Sequence, residues 1–406
     1  MTRSVAAILA AAGASLAAGS PADDVARLAR ASNAFAFDLY KEVRKRPGNQ
    51  IVAPASLSTA LTMAWAGARG TTADEMKRVL HLDLAPAAAT KASGTLTAAL
   101  TDPQRPVVLR IANRLFGEKT YRFEPAYIEA TRAAFGASLE PMDFRVASEA
   151  SRGSINGWVE AQTEKRIANL IPPGGVGPQT RLVLVNAVYF LGGWDEAFPP
   201  KATGTEPFHT SKTAVKDVPT MHRSGTIACF QSESAGLQAI ELPYKGRGLS
   251  MVIVLPDAVD GIAAVETRLT AAVFDTIVAN LHNGQVSLSL PRFEVAPAAS
   301  LSLASTLAAL GMPAAFDRDK ADFTGIANPA APRDRLYVGA AFHKAFVKAD
   351  EKGTEAAAAS ALSMAVRGEA PRVVTFKADH PFLFLIRDTA TGLILFMGRV
   401  TDPGAP

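Results

Sequence analysis

The sequence predicts an α+β protein, with helices packed on a large and mainly antiparallel sheet system. Three observations carry that expectation. Segments with helical spacing fill the first third of the 406 residues, apolar and β-branched runs fill the last two-thirds, and no linker is long enough to divide them. The length leaves room for two or three domains, but with no boundary in view the chain reads as one domain over residues 26–403. Hydrophobic residues make up 48% of the chain and charged residues 20%. That composition can bury enough apolar surface to offset the entropy of ordering, which excludes a disordered chain.

The elements follow in order. Residues 1–19 begin with Arg3, continue through an Ala-rich apolar run at 5–12 and end in small residues. This is the shape of a secretory signal peptide. It is too short to span a bilayer. It predicts a secreted or periplasmic protein cut between residues 17 and 20. Residues 26–43 place Leu28, Phe35 and Leu39 on one helical stripe, with Pro47-Gly48 closing it. Lys41, Arg44, Lys45 and Arg46 suit the negative end of that helix, with a polyanion site as the alternative reading. A second helix spans 54–63, with Ser56 near its start. Gly67, Gly70 and Thr71-Thr72 are expected to break it. A further helix is expected over 155–170, with Ile155, Trp158, Val159, Ile167 and Leu170 on one face.

Residues 182–191 are almost continuously apolar, which predicts a strand buried on both faces; residues 249–255 read the same way. Residues 286–290 alternate through Ser287 and Ser289, as a half-wet strand does. Residues 382–386 and 393–397 form a hairpin across the polar connector 387–392.

Several chemistries find no residues to carry them. Cys229 is the single cysteine, which excludes an intrachain disulfide and any cysteine-rich metal site. It reads as a small core residue. None of the six histidines has zinc-ligand spacing, and neither a nucleophile elbow nor a phosphate loop occurs. Gly246-Arg247-Gly248 reads as a tight turn. The net charge of +4 is scattered, so nucleic acid is disfavoured as a partner. No enzyme activity, metal, cofactor or membrane span is expected.

One stretch stands apart. Residues 350–368 read DEKGTEAAAASALSMAVRG and lie between the apolar run ending at Val347 and the strand-like 373–376. Alanine favours helix over strand, so an exposed helix or a flexible tether remain open as readings. At a period of two, however, Thr354, Ala356, Ala358, Ser360, Leu362, Met364 and Val366 share one side. Glu355, Ala357, Ala359, Ala361, Ser363, Ala365 and Arg367 share the other. That is a strand with one face able to enter a core and small residues that obstruct little. Gly353 supplies backbone freedom at its start.

At these residues the chain resembles the serpin family, over roughly residues 26–403. The motifs fall in order: Arg110-Ile111-Ala112-Asn113-Arg114-Leu115-Phe116, Asn186-Ala187-Val188-Tyr189-Phe190, Gly193-Trp194, Glu241-Leu242-Pro243-Tyr244, Asp322-Phe323-Thr324-Gly325-Ile326, His343-Lys344-Ala345-Phe346, Glu351 to Ala357, His380-Pro381-Phe382 and Phe396-Met397-Gly398-Arg399-Val400. The resemblance implies three sheets, eight or nine helices and an exposed reactive-centre loop at about 351–372. It implies a metastable monomer that inhibits a serine protease irreversibly: the protease cuts the loop, and the loop inserts into the main sheet before the acyl-enzyme hydrolyses. The loop hinge would be Glu351, Gly353, Thr354, Glu355, Ala356, Ala357, Ala358, Ala359 and Ser360. Fourteen positions beyond Gly353 lies Arg367, so the reactive bond would be Arg367–Gly368 and the target trypsin-like. Together with the leader, the resemblance describes an exported, bacterial-type member with a reactive arginine. Ser56, Asn186 and His343 would form a polar cluster where the sheet opens. Lys348 departs from the family, which often has an acidic residue there. A non-inhibitory serpin acting as a binding or chaperone module, or a cross-class inhibitor of cysteine proteases, are the alternatives.

Overall fold

The computed structural model describes residues 20–136, 139–331, 334–354 and 373–405. The expected leader (1–19) and the loop residues 355–372, including Glu355 to Ser360 and Arg367–Gly368, lie outside them.

The first helix, α1 (Pro21–Val43), begins five residues before the expected start. Ser20 and Asp23 form a reciprocal capping box: the Ser20 hydroxyl accepts from the Asp23 N–H, and the Asp23 carboxylate accepts from the Ser20 N–H. Helix α2 (Pro54–Ala66) outruns its expected end at Met63. Gly70 and Thr71-Thr72 do not break structure but open α3 (Gly70–Val79), where the buried Thr72 hydroxyl accepts from the Asp322 N–H at 3.0 Å. Helices α4 (Pro86–Leu100) and α5 (Pro125–Phe135) follow.

The helix expected at 155–170 is α6 (Phe144–Gln162), capped by the Asp143 side chain. It stops early because Glu164 and Lys165 adopt positive φ. Ile167 and Leu170 nonetheless remain buried in the cluster under α6, so the apolar face continues after the helix has ended. Three shorter helices, α7 (Ile262–Arg268), α8 (Ala271–Ala279) and α9 (Ala304–Leu310), complete nine α-helices among the described residues.

The strands form two hydrogen-bonded sheets. In one the order is β1 (Gln50–Val52), β16 (Ile394–Val400), β15 (Phe382–Asp388), β8 (Leu249–Pro256), β7 (Leu237–Pro243), β6 (Val215–Ser232), β9 (His282–Pro291) and β14 (Val373–Lys377), with β5 (Gly204–His209) also on β6. Three sheets were expected; here two of them are continuous, because the 18-residue β6 is long enough to pair with β5 at one end and β7 at the other. Cys229 is buried on β6. Gly246 and Arg247, both at positive φ, make the turn between β7 and β8. The C-terminal hairpin is β15–β16.

The other sheet runs β10 (Phe293–Val295), β12 (Val338–Ala349), β4 (Leu182–Gly193), β2 (Val107–Glu118), β3 (Glu140–Met142). β11 (Leu301–Ser302) adds to β12, and β13 (Gly353–Thr354) to β4. β4 is covered on both faces, as its apolar run predicts. Leu182, Leu184, Val188 and Phe190 enter the main core, while Val183, Val185 and Ala187 lie in the cluster with Phe144, Ile155 and Val159 of α6. Ala340 and Phe342 of β12 join that second cluster, so α6 covers both strands.

Candidate functional site

β4 and β12 meet as a parallel pair, from Val338 opposite Leu182 to Phe346 opposite Tyr189. Parallel pairing is slightly less stable per residue than antiparallel pairing. Beyond β12 the chain turns back. Asp350 and Gly353 exchange two backbone hydrogen bonds, at 2.9 and 3.2 Å. Gly353 and Thr354 then pair antiparallel with Gly193 and Gly192. The turn therefore sets Gly353-Thr354 antiparallel to β4, at the end of its pairing with β12.

The 350–354 turn is tightly held. Gly353 has φ +139°, and a Cβ there would lie 2.2 Å from the Gly192 carbonyl oxygen and 2.6 Å from the Gly193 Cα, so only glycine fits. The Trp194 indole N–H donates to the Asp350 carbonyl at 2.9 Å, and the Trp194 and Phe198 amides donate to the Lys352 and Glu351 carbonyls. The Trp194 ring stacks on Tyr244 at 4.7 Å, and the Tyr244 hydroxyl meets the Thr354 hydroxyl at 2.9 Å. The Glu351 carboxylate pairs with Arg292 and accepts from the Thr203 hydroxyl at 2.5 Å. Burial pushes that carboxyl up, but Arg292 and Thr203 outweigh it and hold it below its ordinary value. Lys348 stands opposite Glu294 in the β10–β12 register.

Halfway along the seam sits a polar cluster. Ser56 on α2, Asn186 on β4 and His343 on β12 are brought together, and Asn113 on β2 completes the group. The sheet register aligns Asn113, Asn186 and His343 on one rung. The Asn186 amide donates to the Ser56 hydroxyl at 2.6 Å and to the Asn113 carbonyl at 2.5 Å. Ser56 donates to Asn113 at 3.0 Å. His343 Nε2 accepts from the Ala53 N–H at 3.1 Å, which puts the ring proton on Nδ1, where it donates to Asn186 Oδ1 at 2.5 Å. Burial lowers the pKa of the imidazole to about 3, against the Asn186 bond, which raises it. The ring is therefore neutral, and its bond to Asn186 is a side-chain link across the seam.

Asn113 was not among the expected site residues, although it lies within the Arg110 to Phe116 motif. The available signal was a lone amide in an apolar alternation, and strand register is invisible in one sequence. Arg292 and Thr203 left no signal at all, since each is a long way from Glu351 along the chain.

The two-residue strand Gly353-Thr354 thus sits on β4 beyond the end of its parallel pairing with β12. The serpin family model, described as serine protease inhibitor, matches residues 30–403, and this chain belongs to the serpin family. It is 38% identical over 385 residues to the leukocyte elastase inhibitor of Equus caballus, covering 93% of this chain and all of that one. Among solved structures, uncleaved ovalbumin superposes with a TM-score of 0.82 at 28% identity, covering 93% of this chain and 100% of that chain. Serpin48 of Tenebrio molitor, described as a highly specific serpin, does so with a TM-score of 0.80 at 31% identity, covering 93% and 98%.

Proposed function

We propose that the chain is an exported, monomeric and irreversible inhibitor of trypsin-like serine proteases. The observation that carries this reading is the parallel β4–β12 seam with Gly353-Thr354 already turned into its upper end. The target's serine adds to the Arg367 carbonyl, the Gly368 amine leaves, and an acyl-enzyme forms. The freed loop then zips down the seam before water reaches the ester. An arginine at the cut suits an acidic specificity pocket.

Continuing the Thr354–Gly192 register places Ala356, Ala358, Ser360, Leu362 and Met364 opposite Phe190, Val188, Asn186, Leu184 and Leu182. These β4 residues, Asn186 apart, line the main core, so the uncharged face of the loop enters it and the Glu355 face does not. Ser360 arrives opposite Asn186, where its hydroxyl takes over the partner that Asn186 loses when His343 moves away. The parallel pairing is exchanged for two antiparallel ladders, each added bond contributing about 0.5–1.5 kcal/mol net. The Ser56–Asn186–His343 cluster acts as the latch on this opening.

Export rests on the leader. A cut at or before Gly19 leaves Ser20 in place to cap α1.

The deciding experiment is incubation with trypsin, followed by denaturing electrophoresis and sequencing of the released fragment. The expected result is an SDS-stable complex and a new N-terminus at Gly368. Cleaved product without complex rejects inhibition in favour of a binding module, and a cut elsewhere rejects Arg367. Ala358→Pro, which removes a ladder donor opposite Val188, converts the inhibitor into a substrate.

A further inference from the structure

We propose that a cavity at the end of the seam opposite the hinge binds a small polyanion carrying phosphate or sulfate groups. The cavity has a volume of about 420 Å³, toward the lower end of the range for small-molecule sites. Three guanidinium groups line it, each from a different part of the chain: Arg122 between β2 and α5, Arg145 in the first turn of α6, and Arg181 at the entrance to β4. Thr120, Tyr121 and Asp334 face the same space.

Among the described residues, the cavity wall carries more cations than carboxylates. Among the described residues, none of the three arginines forms an ion pair with a carboxylate. The neighbouring acids are engaged elsewhere. Asp143 pairs with Lys119 at 2.8 Å, and Asp322 with Arg335 at 3.9 Å. Glu118 is buried, and its oxygens accept from the backbone N–H groups of Phe144, Arg145 and Thr120 at 2.8, 3.1 and 3.3 Å. Among the described lining residues, Asp334 is the one carboxylate against three guanidinium groups.

The site is also partly organised in advance. Arg181 Nη1 donates to the Pro178 and Thr180 carbonyls, both at 3.0 Å, which holds that guanidinium in one orientation. The half-buried Tyr121 lines the same wall. Arg122 and Arg145 are exposed and make no side-chain hydrogen bond among the described residues, so they can close on a ligand. Planar forks of N–H donors match the oxygens of phosphate and sulfate, and two or more such groups satisfy three forks better than one carboxylate does.

Binding is read without any protease, so failure here leaves the inhibitor reading untouched, and the converse holds too. The whole protein is titrated with inorganic pyrophosphate and with sulfate, sodium chloride keeping ionic strength constant, by calorimetry and by melting temperature. The expected result is saturable binding with a rise in melting temperature, stronger for pyrophosphate. The double variant Arg122→Gln/Arg145→Gln, which breaks no side-chain bond among the described residues, weakens binding by about tenfold per guanidinium lost, or about a hundredfold. Arg132→Gln, a surface change on α5, leaves it unaltered. Absence of saturable binding, or equal affinity in the double variant, overturns the proposal.

Discussion

The β4–β12 seam and the C-terminal β15–β16 hairpin are both buried, yet they are held by different means. Along the hairpin, Phe382, Leu383, Phe384, Leu385 and Ile386 face Val400 through Phe396 in antiparallel register, with strand β8 on the other side. At Gly398 the packing is so close that a Cβ would lie 2.4 Å from the Gln50 carbonyl oxygen and 2.6 Å from the Phe384 ring. The seam has parallel pairing, and its side-chain contacts include a histidine–asparagine bond as well as the Tyr189–Phe346 ring contact. Apolar interdigitation offers no intermediate arrangement, whereas a hydrogen-bonded rung can exchange one partner for another. Under the proposed insertion, the β15–β16 pair stays and the β4–β12 pair parts.

The largest expected effect tests whether the seam parts at all. Nicking at Arg367 is expected to raise the melting temperature by more than about 10 °C, since each kcal/mol gained shifts a large domain by roughly 2–4 °C. Coincident melting curves before and after the nick would mean that no strand is added. The second test is pH. The His343 pKa is about 3 in the fold, against about 6.5 in the unfolded chain. The unfolded chain therefore binds the extra proton first. The stability this contributes is fully present above about pH 6.5 and declines as pH falls toward about 3, by about 3 kcal/mol at pH 4. Melting curves between pH 6.5 and 4.5 should show that slope in the native protein and lose it in His343→Gln.

Gly398→Ala strikes the permanent sheet instead. It is expected to cost about 1–3 kcal/mol through overpacking, measured by denaturant unfolding, and to leave the inhibitory stoichiometry as it was. A rise in stoichiometry would show that the two sheets are coupled. The smallest effect belongs to the hinge. Glu351→Gln removes the pairing with Arg292, whose side chain is 46% exposed, so screening limits the loss to about 1 kcal/mol. The matching readout is faster proteolysis within the 350–354 turn.

Much of this was legible in advance where short-range chemistry decides. The uninterrupted apolar run of β4 announced burial on both faces, and the polar 387–392 connector announced the hairpin. The errors fell where local signals are ambiguous. Gly70 and Thr71-Thr72 looked like a break but open α3, because Thr72 finds its partner on a distant segment, the Asp322 amide. The apolar spacing from 155 to 170 looked like one helix, yet burial at Ile167 and Leu170 is maintained by a turn. Ser56, Asn186 and His343 were singled out through family resemblance; Asn113 was not, because its place on their rung follows from register.

The sequence by itself determined the composition of the core, the α+β class, the serpin motifs and the alternation of residues 354–367 that suits them to a strand. Those properties depend on residue type and spacing along the chain. Tertiary structure alone decided that β4 and β12 are neighbours and parallel, that Asn113, Asn186 and His343 share a rung, that Glu351 meets Arg292, and that three separate arginines share one cavity. Each is a contact between residues far apart in the chain, chosen by how the whole core packs.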